Sequence, residues 1–356
     1  MRSAAILAAV LAAFAAGCSK EAERAGPRRV FEPVRIASAY IAMAEKPDAT
    51  RALLVGDGAV ALSPYFDRAG VRPCLELGGK FDIVVLSCRG MTAESCSRAA
   101  KHCSENGIVV WLMDMNGVSA AEFGKMLASF TMPQTHLWMP GERDWVLVGR
   151  AKRRTVKLSS MFELFSREGT FGDLAAAECN SLPALFASYA GRREDVAPAL
   201  SIGDMTAEVR PEFFLTREIP KIDWISGEGV DEDILSGTLA EIRSMQVVRR
   251  IVVEGSMLSL KAADRKGEEA ATEKWSAAAK RNPGDLFLLE RLDRLERNAK
   301  GFLEVKKVLQ AMKCYETMVL IRPTQSSVHN FGMCLKMIGK ADLAEKVLKR
   351  AEAMGK

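Results

Sequence analysis

The hydrophobic pattern of residues 51–149 alternates short, continuous apolar runs with amphipathic stretches. Continuous apolar runs are typical of parallel strands covered on both faces, and apolar positions three or four apart are typical of helices. The pattern predicts strands at Ala52–Val55, Phe81–Ser87 and Gly107–Met113, and helices at Ala59–Ala69, Met91–Asn106 and Ser119–Phe130. His136–Met139 and Trp145–Gly149 are predicted as two further strands joined through a Pro-Gly turn. Parallel crossovers that end in an antiparallel pair indicate an α/β, Rossmann-like sheet of the methyltransferase type.

The first residues have the pattern of a secretory signal peptide. Arg2 precedes a thirteen-residue apolar run, Ala4–Ala16, which is followed by Gly17 and Cys18. The run is shorter than the about 20 residues that a membrane-spanning helix needs. The stretch Ala15–Cys18 resembles the lipobox of bacterial lipoproteins, and this resemblance implies removal of residues 1–17 and lipidation of Cys18. The alternative is a plain secretory signal that happens to contain a cysteine.

The lipoprotein resemblance also has consequences for location. Ser19 follows the lipidated position, which implies an anchor in the outer membrane, on the periplasmic side of a bacterial cell envelope. Residues 18–33 are predicted to be a tether between an anchor and a folded body, because Lys20–Arg29 are polar and charged and contain Gly26-Pro27.

Composition limits the chemistry that the chain can perform. The 50 Lys and Arg against 45 Asp and Glu give a net charge of only +5, which argues against dedicated nucleic-acid binding. Three histidines in 356 residues leave little room for a histidine-based metal site or nucleophile system. The cysteines after Cys18 form no CxxC pair and do not suggest a disulfide framework. Cys96 and Cys103 lie on one predicted helix, where buried structural thiols are more common than a metal or redox site, so no metal is expected.

A candidate nucleotide loop follows the first strand. Gly56, Asp57 and Gly58 form a tight turn before a helix, where backbone amides and the helix dipole favour an anion or a nucleoside hydroxyl. A fuller GxGxG loop would have a third glycine, but Val60 stands at that position. Glu76 comes eighteen residues after Gly58, at about the distance where such folds place an acidic residue on a ribose. A solvated loop carboxylate is the alternative for Glu76.

The order of these blocks resembles the spermidine-synthase-like domain. The resemblance rests on RALLVGDG, KFDIVVLS, NGIVVWLMDMNGVSAAEFGKMLASF and THLWMPGERDWVLVGRAK, and on the later stretch Gly203–Phe214. It implies a domain over residues 34–224 and a pocket for S-adenosylmethionine or its decarboxylated form at Gly56, Asp57, Gly58 and Glu76.

Departures from the family weaken the expectation of activity. Aminopropyl transfer needs carboxylates that hold a cationic amine and a base that removes its proton. The family has an aspartate at the end of the strand equivalent to Phe81–Ser87, whereas this chain continues Ser87-Cys88-Arg89. Only a few residues separate Glu76 from Phe81, whereas the family inserts a helix, a strand and a helix there. The weak alternatives for a base are Asp114, Asp204 and Glu208.

The C-terminal part has a different, all-α pattern. A Gly-rich stretch near Ser226–Gly229 marks a linker over 225–240, after which strand signals stop. Ala271, Trp275, Ala278 and Pro283 recur 40 residues later as Ala311, Tyr315, Met318 and Pro323. A partial third copy is Ala344, Leu348 and Ala351. This spacing resembles the tetratricopeptide repeat and predicts repeats over 241–356, with His329 and Asn330 where a large aromatic residue is usual. A coincidental set of amphipathic helices is the alternative.

Two hypotheses for the whole chain follow. The first is a non-catalytic envelope lipoprotein without a cofactor, whose helical repeats bind a peptide or protein. Lys306, Lys307 and Lys313 would line a basic face of the repeats or form an ordinary solvated surface. The second is an adenosylmethionine-dependent transferase of the polyamine aminopropyltransferase type. The missing base and the shortened cofactor region favour the first hypothesis.

Overall fold

The computed structural model describes residues 31–76, 78–88, 92–179, 181–200, 205–215, 219–261 and 265–355. Within them the chain forms two compact units that divide between Val247 and Val248. The division falls inside a long helix, α11 (Glu232–Lys261). The linker expected over 225–240 therefore contains a short strand and the first turns of this helix.

The first unit is built on a mixed sheet. Its helices are α1 (Glu32–Glu45), α2 (Asp57–Val60), α3 (Ser63–Arg68), α4 (Ala93–His102), α5 (Ala120–Ser129), α6 (Leu158–Ser166), α7 (Glu168–Ala176), α8 (Leu182–Phe186), α9 (Arg193–Leu200) and α10 (Glu212–Leu215). Its strands are β1 (Arg51–Val55), β2 (Arg72–Cys74), β3 (Phe81–Ser87), β4 (Cys103–Asp114), β5 (Gln134–Trp138), β6 (Asp144–Arg150), β7 (Val156–Lys157), β8 (Tyr189–Arg192) and β9 (Ile225–Ser226). Strands β7 and β9 form a separate parallel pair.

In the described part of the chain the main sheet has seven strands in the order β2-β1-β3-β4-β6-β5-β8. The first four run parallel, and β6 returns antiparallel between β4 and β5. The continuous apolar run of β3 is buried from Ile83 to Leu86, as its pattern predicts. Capping fixes the start of α5, because Ser119 and Glu122 satisfy each other's free backbone amides.

Two predicted helices have different limits in the structure. Ala59–Ala69 is divided into the short helices α2 and α3. The helix predicted over Met91–Asn106 ends at His102, because Cys103 already pairs with Phe81 as the first residue of β4. Cys96 and Cys103 therefore do not share a helix, and that expectation was wrong. Pairing with a neighbouring strand outweighs the local helical pattern here.

The second unit is helical. After the C-terminal part of α11 it contains α12 (Arg265–Arg281), α13 (Leu286–Glu304), α14 (Val308–Ile321), α15 (Gln325–Met337) and α16 (Ala341–Met354). Successive helices from α13 to α16 pack against each other, and α12 also packs against α14. Pro283 and Pro323 each lie two residues beyond the end of a helix, as expected for residues that cannot continue one.

Candidate functional site

The predicted nucleotide loop lies at the end of β1, with Gly56 preceding α2 and Asp57 and Gly58 in its first turn. Gly56 has a φ of +91°, a conformation that favours glycine. A Cβ atom at Gly56 would overlap the carbonyl oxygen of Ser87, and one at Gly58 would overlap the Ser87 hydroxyl. The end of β3 therefore approaches this loop so closely that packing within the chain requires glycine at position 56, whereas the Ser87 hydroxyl beside Gly58 can rotate away. The presence of Gly56 needs no ligand to explain it.

Glu76 lies at the same edge of the sheet as this loop. It follows β2 by two residues, and β2 runs parallel to β1, so both connections leave the sheet at the carboxyl ends of their strands. The structure thus places Glu76 at the carboxyl edge of the sheet, on the same side as the Gly56–Gly58 loop. Both Glu76 and Asp57 are exposed to solvent.

The alternative bases hold backbone in place. Asp114, the last residue of β4, accepts a hydrogen bond of 3.0 Å from the Asn116 amide. Glu208 accepts one of 3.0 Å from the Gly117 amide and lies 3.5 Å from Arg210. Both carboxylates thus support the connection between β4 and α5. The other positions, Asp204, Arg89 and the lipidation residue Cys18, lie outside the described residues.

Metal and thiol chemistry find little support in this unit. Among the residues that the structure describes, no group of three His, Cys, Asp or Glu side chains is placed to hold a metal ion. Burial raises the pKa of Cys103 to about 12 and also raises that of Cys96. Both thiols are therefore protonated at neutral pH and behave as small core residues.

A buried charge cluster holds α1 against the sheet. Glu45, the last residue of α1, accepts hydrogen bonds from His136 Nδ1 at 2.8 Å and from Trp138 Nε1 at 2.9 Å. Arg150 donates to the other carboxylate oxygen of Glu45 and, at 2.6 Å, to its carbonyl oxygen. Burial raises the pKa of Glu45, but His136 and Arg150 outweigh burial and hold this pKa below its ordinary value. Glu45 is therefore a carboxylate that neutralises a buried guanidinium.

Aromatic rings enclose this cluster. The His136 ring lies 4.8 Å from Trp224 and 5.7 Å from Tyr189, and the Arg150 guanidinium lies 5.6 Å from the Trp224 ring. Burial and the nearby Glu45 charge raise the pKa of Tyr189, which therefore stays protonated. The only local sign of the cluster is a charged residue at the end of an apolar helix. Its partners are 91 to 105 residues away in the sequence, so local patterns do not reveal it.

In the helical unit, the residues at the recurring positions face the core. All three recurring positions are buried in α12 and in α14, and both small residues are buried in α16; these residues are Ala271, Trp275, Ala278, Ala311, Tyr315, Met318, Ala344 and Ala351. On α15 the buried residues are Ser327, Val328, Gly332, Cys334 and Leu335. His329 is exposed and Asn330 is half-buried, so neither side chain fills the core of this helix pair.

Small residues let the paired helices approach. A Cβ atom at Gly255 of α11 would lie 2.7 Å from Trp275 Nε1, and one at Gly332 of α15 would lie 2.9 Å from the Leu348 side chain. Trp275 and Leu348 occupy equivalent positions of the recurring pattern. Ala299 of α13 belongs to the same buried cluster as Tyr315, which holds this position in the middle copy. The first and third pairs thus set a glycine on the first helix against a large residue on the second.

Two polar contacts fix the first pair to the next helix. Trp275 Nε1 donates to the Val252 carbonyl at 3.1 Å, and the Arg291 guanidinium lies 4.4 Å from the Trp275 ring. Asp285 caps α13 through the amides of Phe287 and Leu288 and pairs with buried Arg249 at 2.6 Å.

Lys306, Lys307 and Lys313 are all exposed, and whether they bind a partner stays a prediction.

When the chain is compared with known proteins, no family model, no curated protein and no solved structure matches it. Among the described residues, no helix is both long enough and apolar enough to cross a membrane.

Proposed function

We propose that this chain is a non-catalytic lipoprotein of the bacterial cell envelope that binds a peptide or protein through a tetratricopeptide-type array of helices. The sheet unit is then a degenerate spermidine-synthase-like domain that serves as a scaffold. It needs no cofactor, and the chain binds no nucleic acid. The observation that carries this proposal is the burial of the same small and large positions in successive helix pairs.

The helix pairing supports the repeat interpretation. α11 with α12 and α15 with α16 each have a glycine on the first helix facing a large residue on the second, and in the middle pair Ala299 of α13 and Tyr315 of α14 belong to one buried cluster. About three such units are needed for a stable stack. The exposed side of α16 carries charged residues, which include Asp342, Glu345, Lys346, Lys349 and Arg350.

The sheet order supports the spermidine-synthase-like interpretation. Strand β6 returns antiparallel between β4 and β5, the arrangement expected of the methyltransferase variant of a doubly wound sheet. Only β2 lies beyond β1 on the other side among the described strands, in keeping with the short connection between Glu76 and Phe81. The cofactor loop and the candidate bases give little support to catalysis. Ser87 fills the space beside Gly58, and both Asp114 and Glu208 accept hydrogen bonds that support a turn.

A partner would contact an exposed stripe on α15. His329, Met333 and Met337 follow one another at four-residue intervals and are all exposed. Residues four apart lie on one face of a helix, and methionine adapts its shape to an apolar partner surface. This stripe is the place to test partner binding.

Site-specific photo-crosslinking in cells tests the proposed binding. A photoreactive amino acid at Met337, which is 60% exposed, should give a discrete crosslinked product with an envelope protein. The same amino acid at Lys349, on the charged outer side of α16, should not give that product. Absence of a product at Met337, or the same products at both positions, would count against partner binding at this helix.

The envelope location has its own test. Cys18→Ala should leave the protein without a lipid, and fractionation should find the processed chain released from membranes, because no helix of the described residues is long and apolar enough to hold it there. Ser19→Ala, which keeps the cysteine, is the control and should stay in the membrane fraction. A Cys18→Ala protein that is processed and still sediments with membranes would contradict lipid anchoring.

A further inference from the structure

A cavity of about 450 Å³ opens at one end of the sheet unit. It lies between the turn after α1, the start of β4 and the segment that follows β6, and its lining includes residues 45–48, 105–108, 150–152 and 154–157. Because β4 runs parallel to β1, its first residues lie at the opposite edge of the sheet from the loop that follows β1. The cavity is therefore separate from the predicted nucleotide site, and its size is that of a small-molecule site.

The inner wall of this cavity carries one more positive than negative charge. The side chains of Lys46 and Arg150 are only 7% and 6% exposed, although both are cations. The one lining acid buried as deeply, Glu45, neutralises Arg150 and has both carboxylate oxygens occupied. Arg150 also donates to the Arg154 carbonyl oxygen at 3.0 Å, while its Nε has no hydrogen-bond partner among the described residues. Lys46 pairs with Asp48, whose side chain is largely exposed. The interior donors that remain for a ligand are therefore the Lys46 ammonium and Arg150 Nε.

The rim of the cavity carries three more cations in exposed ion pairs. Exposed ion pairs contribute little to stability, because water competes for both partners. Their carboxylates can therefore be displaced by an anion that also reaches the buried cations. The rim pairs are Lys152 with Glu105 at 2.7 Å, Arg154 with Asp48 at 4.0 Å, and Lys157 with Glu228.

We propose that this cavity binds a small organic anion, whose phosphate or carboxylate group lies between the buried Lys46 and Arg150 side chains and the rim cations. Charge-assisted hydrogen bonds from lysine and arginine to such groups are among the strongest polar contacts in proteins. The cavity volume exceeds that of a bare ion, so the charged group belongs to a larger molecule. Thr155 and Ser160 line the same space and offer hydroxyl groups to the rest of it.

Calorimetric titration of the whole protein with glycerol 3-phosphate and with citrate, at constant ionic strength, tests this proposal. Saturable binding of either probe supports it, and the probe that binds more tightly distinguishes a phosphate from a carboxylate ligand. Arg154→Gln and Lys152→Gln should each weaken that binding about tenfold, the effect of one lost charged hydrogen bond. Lys46→Gln should have a larger effect because its ammonium is buried.

Arg98→Gln is the matched control. Arg98 also forms an exposed ion pair, with Glu94, and its side chain is 43% exposed against 47% for Arg154. The Arg98→Gln protein should bind both probes as the unmodified protein does. Melting curves should show that all variants fold. The proposal would be overturned if neither probe showed saturable binding. It would also be overturned if Arg154→Gln, Lys152→Gln and Lys46→Gln all bound the probe as tightly as the unmodified protein does.

Discussion

Replacing Trp275 with alanine is expected to lower the free energy of unfolding of the helical unit by about 3–5 kcal/mol. Trp275 is fully buried, and its ring lies where α11, α12 and α13 meet. The indole packs directly against the backbone of Gly255, where a Cβ atom would overlap the ring. The helices are therefore spaced by the indole, and we expect that they do not close the cavity that alanine leaves. Denaturant unfolding followed by circular dichroism measures the change.

Leu309→Ala is the control for this substitution. Leu309 is a large apolar residue of the same unit, but its side chain is exposed, so its removal should change the free energy of unfolding by less than about 0.5 kcal/mol. If Trp275→Ala is no more destabilising than Leu309→Ala, the indole does not fill an interhelical groove and the repeat interpretation fails.

Glu45→Ala is expected to destabilise the sheet unit by about 3–5 kcal/mol, because it leaves the Arg150 guanidinium buried without its counter-charge. The ring N–H groups of His136 and Trp138 lose their acceptor as well. Glu94→Ala removes a carboxylate from an exposed ion pair with Arg98 and should cost less than about 1 kcal/mol. Equal effects of the two substitutions would show that the Glu45 cluster is not a buried support of α1.

The dependence of stability on pH follows from the same carboxylate. The pKa of Glu45 is lower in the folded protein than its ordinary value of 4.5. Its ionisation therefore stabilises the fold above that value, and the stabilisation is lost as the pH falls through the lower, folded-state pKa. Glu45→Gln removes this contribution. The difference in free energy of unfolding between the unmodified protein and Glu45→Gln should shrink as the pH is lowered below about 4.

Local sequence patterns correctly predicted the helices and strands that have a clear hydrophobic pattern of their own. The continuous apolar run predicted β3 with its correct limits, and the helix predicted over Ser119–Phe130 lies within one residue of α5 at each end. The recurring small and large positions of α12 and α14 are buried, as their spacing predicts. In these places a few neighbouring residues determine the structure.

Long-range contacts account for what local patterns missed. Cys103 joins a strand because Phe81 pairs with it across the sheet. Gly56 and Gly58 resemble a ligand loop in sequence, yet the Ser87 carbonyl oxygen requires glycine at position 56. The cavity beside Lys46 and Arg150 is assembled from segments that lie far apart in the sequence, from Glu45 to Glu228, so no motif marks it.

The most direct test of the non-catalytic assignment is an assay of the purified protein for spermidine formation from putrescine and decarboxylated adenosylmethionine. Putrescine carries two positive charges and needs carboxylates at the end of β3, where this chain has Ser87 and Cys88. Loss of a general base alone costs a factor of about 10²–10⁴, and loss of substrate positioning lowers the rate further. We expect no spermidine above the background without enzyme. Turnover above that background that disappears in Gly58→Val or Glu76→Ala would contradict the assignment and establish a transferase.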